Sequence, residues 1–116
     1  MKEALVTVFG GGGFVGRYVV EALLRSGARV RVAERNPKSA WYLKAQANLG
    51  QITWVAADIT RPETLERAIA GADAVVNLVG SFTDMQRIHV DGARNVAEAA
   101  AKAGVKTLVH MSAIGA

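Results

Sequence analysis

Apolar positions along the chain follow two different spacings in alternation. Ala4–Phe9 is a short apolar and β-branched run that meets glycine, which predicts a buried strand. Phe14–Arg25 carries apolar residues at 15, 19, 20, 23 and 24, the spacing of one helix face, and Gly27 stops it. Val30–Ala33 predicts a second strand. Asn36 is placed to cap another helix, with Pro37 at its first position, Trp41, Leu43 and Ala45 behind, and Gly50 at its end. Ile52–Ala57 predicts a third strand. Thr60 and Glu63 have the spacing of a capping box, ahead of a helix that buries Leu65, Ala68 and Ile69. Ala74–Gly80 predicts a fourth strand. A long helix follows over about 85–103, alanine-rich at its end and closed by Gly104, and Thr107–Met111 predicts a fifth strand.

Five strands alternating with four helices give an α/β class. Connections of this length force parallel pairing and right-handed crossovers, so the expected architecture is a doubly wound parallel sheet. No repeat, low-complexity tract or linker interrupts it. The fifth strand is left as a sheet edge without a covering helix. The expectation is one domain over 1–116, truncated after that strand and forming the N-terminal part of a longer protein.

Composition narrows the function classes. At 51% apolar and 21% charged residues, the chain is globular and not a disordered tail. It has no cysteine, which removes disulfides, thiolate metal sites and cysteine nucleophiles. With two histidines and no cysteine, a metal site has little support. No apolar run approaches a membrane span, so direct membrane insertion is not expected. The first residues match neither a signal nor a transit peptide, which makes the cytoplasm the default compartment.

The charge is uneven. The net charge is +4, yet residues 17–44 hold Arg17, Arg25, Arg29, Arg31, Arg35, Lys38 and Lys44 against Glu21 and Glu34, a local balance of +5. A nucleic-acid face would interleave aromatics among the cations. Here aromatic residues are 6% of the chain, so no nucleic-acid partner is expected. The two remaining readings are a solvated basic face and a local site for an anionic ligand.

The glycines favour the ligand. Gly10, Gly13 and Gly16 form Gly-x-x-Gly-x-x-Gly between the first strand and the first helix, and Gly11, Gly13 and Gly16 form Gly-x-Gly-x-x-Gly. Such a loop needs one glycine to turn with positive φ, one to admit a pyrophosphate against the backbone, and one for close helix–strand packing. The phosphates then meet a helix N-terminus. No Lys-Ser/Thr pair follows, which excludes a P-loop. At the end of the second strand, Glu34 has the spacing of an acid that reads a ribose 2′-hydroxyl, favouring NAD(H). Arg35, next to it, suits a 2′-phosphate, favouring NADP(H). Alternation along a strand lets only one of them face the ribose. With Arg17 as a second cation in the first helical turn, the balance favours NADP(H), and NAD(H) is the alternative. Asp58 ends the third strand, either beside an adenine pocket or as a loop cap near Thr60. The Asn77–Gly80 backbone would line the nicotinamide ribose, with Gly80 there for close approach. His110, within an apolar strand, reads as a buried, satisfied histidine, and Trp41 and Trp54 read as core or half-exposed packing.

These residues resemble the extended and atypical short-chain dehydrogenase/reductase superfamily. The shared features are Gly10, Gly13 and Gly16, Asp58-Ile59, the strand end Asn77–Gly80, and Val90-x-Gly92-x-x-Asn95. The stretches Thr7–Gly10, Gly13–Val20, Asn48–Ile52, Val75–Gly80 and Val109–Ser112 are similar to the accessory subunit of respiratory complex I and its bacterial relatives. The resemblance implies a Rossmann domain with strand order 3-2-1-4-5. It implies a tightly held NADP(H), structural in role, with Arg35 at the 2′-phosphate. It also implies association with the peripheral arm of a membrane complex, hence a peripheral position at the inner membrane. The implied cofactor contacts are Gly10, Gly12, Gly13, Phe14, Val15, Gly16, Glu34, Arg35, Asp58, Ile59, Leu78, Val79, Gly80 and Ser112.

The chain departs from the superfamily where its proton relay belongs. Tyr18 is followed four residues later by Ala22, and Tyr42 by Gln46, so neither starts a Tyr-x-x-x-Lys pair. Ala113 stands where many members carry a catalytic hydroxyl, and His89 where many carry asparagine. No catalytic residue is assigned. Two further functions stay open beside the accessory subunit: the N-terminal half of an epimerase, dehydratase or reductase acting on a sugar nucleotide or small carbonyl compound, and a redox-sensing regulator.

Overall fold

The computed structural model describes residues 4–10, 14–38, 41, 50–79 and 91–110. Its strands are β1 Leu5–Phe9, β2 Arg29–Glu34, β3 Ile52–Ala56, β4 Ala74–Asn77 and β5 Thr107–His110. All pairs are parallel, and the sheet runs β3-β2-β1-β4-β5. The helices are α1 Phe14–Arg25, α2 Leu65–Ile69 and α3 Ala93–Lys102, with a 3₁₀ turn at Pro62–Thr64 ahead of α2. The expected class and strand order are therefore both found. Of the helix expected after Asn36, the Asn36 cap is visible: its Oδ1 accepts the Lys38 N–H at 3.3 Å. Residues 42–49 lie outside the described residues, as does the part of the long helix before 91.

β1 is buried along its whole length, as a central strand with helices on both faces must be. Its alternate side chains enter two cores. Val6 and Val8 pack with Val20, Leu24, Val30 and Val32 under α1. Phe9 packs with Ala33, Leu65, Ile69, Val75 and Val96 under α2 and α3. Thr7 shares the second face and is fully buried, so its hydroxyl needs a partner. It donates to the Ala68 carbonyl at 2.8 Å. Arg31, opposite Thr7 in the β1–β2 register, donates to the same carbonyl at 2.9 Å and to Ala70 at 2.8 Å. α2 is five residues long and leaves its last carbonyls without helical donors. Two strands supply them. Burial, and secondarily the charge of Arg29, lowers the Arg31 pKa.

Three local expectations need correction. Val15 has helical spacing but is 45% exposed, while Gly16, Val20 and Leu24, four residues apart, form the buried line. The capping box does not form: Arg61 holds the N-cap position of the 3₁₀ turn without a side-chain cap bond, Glu63 pairs with Arg61 at 3.1 Å, and the Thr60 hydroxyl turns to Asp58. The fourth strand ends at Asn77 instead of Gly80, because the Asn77 Oδ1 accepts the Val79 N–H at 3.1 Å and so closes a local turn. β5 is the sheet edge, with Leu108 and Val109 40% and 47% exposed. Trp54 packs half-buried on the α1-side core, and Trp41 is exposed. The side chain of His110 lies outside the described residues.

Candidate functional site

The strand order reverses between β1 and β4, whose connections leave to opposite faces, and a crevice opens beyond their carboxyl ends. Gly10 is the first residue past β1. Its φ of +83° is left-handed, and a Cβ there would stand 3.1 Å from the Val79 nitrogen and 3.2 Å from the Leu78 carbonyl carbon. The Leu78 N–H donates to the Phe9 carbonyl at 2.9 Å, and the Gly10 N–H donates to Ala33 at 3.3 Å. The β1, β2 and β4 ends thus meet around one glycine. Only a residue without a side chain fits that turn and that approach.

Parallel register carries the same edge across to β3. Phe9 pairs with Ala33, and Glu34 with Ala56. Glu34, half-buried, lies by alternation on the face of Val30 and Val32, toward α1. Arg35 follows outside the strand ladder. It is exposed and has no hydrogen bond or ion pair among the described residues, but its charge acts on Asp58. Asp58 serves as the loop cap: its Oδ1 accepts the Thr60 N–H at 2.9 Å and the Thr60 hydroxyl at 2.7 Å. Burial alone would raise the Asp58 pKa. The two Thr60 bonds and the charges of Arg35 and Arg61 outweigh it, and the pKa falls below its ordinary value.

The turn after β3 is fastened from both sides. The Thr64 hydroxyl accepts the Asp58 N–H at 3.0 Å, and Arg61 N–H donates to the Asp58 carbonyl at 2.9 Å. From the other side, Asn95 of α3 donates its Nδ2 to the Ile59 carbonyl at 2.8 Å. Gly92, one helical turn earlier, is buried, and a Cβ on it would overlap the Ile59 side chain. Thr64, Gly92 and Asn95 carry no site role in the sequence reading. A signal was available, since Gly92 and Asn95 are three apart and share a helix face.

α1 starts at Phe14 and runs twelve residues. Its first turn contains no acidic side chain, and Arg17 lies within it. An anion at this N-terminus would meet backbone N–H groups, the positive dipole end and a cation. A dinucleotide pyrophosphate fits that donor set, as it fits the bare backbone at Gly10. Of the fourteen candidate residues, Gly10, Val15, Gly16, Glu34, Arg35, Asp58, Ile59, Leu78 and Val79 are described. So is the backbone of Phe14. Gly12, Gly13, Gly80 and Ser112 lie outside the described residues. Gly10, Glu34, Arg35, Asp58, Leu78 and Val79 stand together along the carboxyl edge of the sheet, and Ile59 anchors that edge from below, buried in the second core.

A family model described as NAD(P)H-binding matches residues 10–116, beginning at the glycine that turns out of β1. The chain belongs to this NAD(P)H-binding family. Its domain therefore takes a nicotinamide dinucleotide. The 40 kDa subunit of mitochondrial NADH-ubiquinone oxidoreductase from Neurospora crassa is 34% identical over 118 residues, covering 95% of this chain and 31% of that protein. Cinnamoyl-CoA reductase 2 of Arabidopsis thaliana is 38% identical over 119 residues, covering 97% of this chain and 36% of the reductase. The fold matches the crystal structure of vestitone reductase from alfalfa with a TM-score of 0.80 at 24% identity, over 93% of this chain and 36% of that one. The chain spans about a third of the length of the curated relatives it matches. The resemblance to the short-chain dehydrogenase/reductase superfamily and to complex I accessory subunits is borne out. Among the described residues, no helix is long and apolar enough to cross a membrane.

Proposed function

We propose that the chain is the NADP(H)-binding domain of an accessory protein of the complex I type, with the dinucleotide held as a structural element. One observation carries the choice of cofactor. Arg35 is the exposed residue just past β2, outside the ladder and without a hydrogen bond or ion pair among the described residues, while Glu34 turns toward the α1 face. A guanidinium so placed meets a 2′-phosphate with paired N–H donors. The N-terminus of α1, preceded by Gly10, Gly12 and Gly13 and carrying Gly16 in its first turn, takes the pyrophosphate, with the Phe14 and Val15 backbone beside it. Asp58, while capping its own turn through Thr60, also stands at the adenine. Leu78 and Val79 line the nicotinamide ribose, and the family resemblance adds Gly80 and Ser112 to the cofactor contacts. When bound, the nicotinamide supplies hydride-transfer chemistry.

The likeness to a subunit of NADH-ubiquinone oxidoreductase across 95% of the chain supports complex I as the partner. It also supports a peripheral place at the inner membrane. A second reading, the N-terminal part of an NADP(H)-dependent reductase, is supported by 38% identity to a cinnamoyl-CoA reductase. On either reading the cofactor site is the same.

Calorimetric titration with NADPH and with NADH tests the cofactor. NADPH should bind about ten- to a hundredfold more tightly, the value of a lost charge-assisted phosphate contact, and Arg35→Ala should remove the difference. Tighter NADH binding, reversed by Glu34→Gln, would assign the ribose to Glu34 and overturn the proposal.

A further inference from the structure

We propose that Asn95 is a positioning residue for the dinucleotide, acting through the Ile59 carbonyl to hold the Asp58 turn. This rests on the cofactor reading above and adds to it a determinant on α3, on the far side of that turn from the crevice. The turn between β3 and α2 carries two elements of the edge: the Asp58 carboxylate and the backbone that follows β3. Internally it is closed by Thr60 and Arg61 N–H donors and by the Thr64 hydroxyl. Those bonds fix its shape and not its place relative to β1 and β4. Its start is tied to β2 by the Ala57 N–H, which donates to the Glu34 carbonyl at 2.9 Å, and its far side is held by α3. Asn95 bonds the Ile59 carbonyl at 2.8 Å, and the Ile59 side chain fills the space left open at Gly92.

Ile59 is 4% exposed, so its peptide has little access to water as a replacement donor. Loss of the Asn95 amide leaves the carbonyl to regain a partner only by moving the turn. Asp58 moves with it, because the two residues share a peptide bond. The Asp58 carboxylate feels the Arg35 charge, so a displaced turn also changes the field at the residue proposed to read the 2′-phosphate. Asn95 thus reaches both the adenine and phosphate ends without touching either.

Isothermal titration of the wild type and of Asn95→Ala with NADPH and with 2′,5′-ADP, well below the melting temperature, tests this. The fragment contains the adenosine end alone. Asn95→Ala should weaken both ligands by the same factor, roughly five- to tenfold. Amide exchange at residues 58–60 should speed up in the ligand-free protein. If Asn95→Ala folds poorly, Thr64→Val loosens the same turn from its other side and should weaken the same two ligands together. A lower melting temperature with both affinities unchanged within about twofold would make Asn95 merely structural and overturn the inference. If the wild type binds neither ligand, the cofactor reading itself falls and takes this inference with it.

Discussion

Replacing Gly10 by alanine separates two contributions that glycine makes at the sheet edge. The first is conformational: at φ +83° a Cβ costs about 1–2 kcal/mol. The second is contact: the new methyl would stand 3.1 Å from the Val79 nitrogen, 3.2 Å from the Leu78 carbonyl carbon and 3.3 Å from the Val79 Cγ2. Two of these are backbone atoms of a segment tied to β1 by the Leu78–Phe9 hydrogen bond of 2.9 Å, so relief requires the strand ends to part. Overpacking of this kind costs about 1–3 kcal/mol. Gly27 supplies the control. Its φ is +91°, and nothing lies within 4 Å of its Cβ position. Both substitutions restrict the unfolded chain equally, a gain of about 0.4–1 kcal/mol. Gly27→Ala should therefore cost about 1 kcal/mol, and Gly10→Ala about 2–4 kcal/mol. At a urea m-value of about 1–3 kcal/mol per molar, the two unfolding midpoints should differ by roughly 1 M, with Gly10→Ala the lower. Midpoints within about 0.2 M of each other would show that β1 and β4 do not approach closely at Gly10, and would refute the switch-point geometry.

Two other predictions concern charge and a shared acceptor. The Asp58 carboxyl should titrate below the ordinary aspartate value in an NMR pH series, and Arg35→Ala should raise its midpoint. With its folded pKa depressed, Asp58 adds stability that is present above the unfolded value and lost as pH falls through the folded one, so the wild type should lose stability in that acid window and Asp58→Asn should lose less. Thr7→Val and Arg31→Met each remove one of two donors to the Ala68 carbonyl. Each alone should cost about 1 kcal/mol by chemical denaturation, and the pair about 1–2 kcal/mol more than their sum, because only then is the carbonyl unsatisfied.

Element order and type were open to reading from the chain because periodicity changes cleanly at glycines that end helices, such as Gly27 and Gly104. The order of the strands rested on the resemblance, since spacing alone gives parallel pairing and not which neighbour each strand takes. The misreadings were local: two were competitions for hydrogen bonds and one concerned which line of a helix is buried. Thr60 had the spacing to cap a helix but found a closer acceptor in Asp58. Asn77 ended its strand early by capturing the Val79 N–H. Val15 fitted the apolar period, yet the α1 axis buries the line through Gly16 instead. The residues of the sheet's carboxyl edge were legible where one strand end carries its own signal, as at Gly10, Arg35 and Asp58. The motif residues Gly92 and Asn95 were visible in the chain, but that Asn95 bonds the Ile59 carbonyl, 36 residues away, was not, because spacing along the chain does not say which distant element a side chain meets.

The edge of this sheet divides stability from specificity. Gly10, Ile59, Leu78 and Val79 lie where ladder bonds, buried packing or close backbone contacts set their positions, so a change in any of them is felt in the fold. Arg35 lies one residue beyond the last paired position of β2, exposed, and among the described residues it makes no hydrogen bond or ion pair while its charge acts on Asp58. Substitution at such a surface position changes stability by about 0.5 kcal/mol or less. A charge-assisted phosphate contact is worth several times that in binding. On the proposed reading, the choice between the two dinucleotides falls to a residue that the fold leaves nearly free to vary. The crevice that receives them is held by residues that the fold does not.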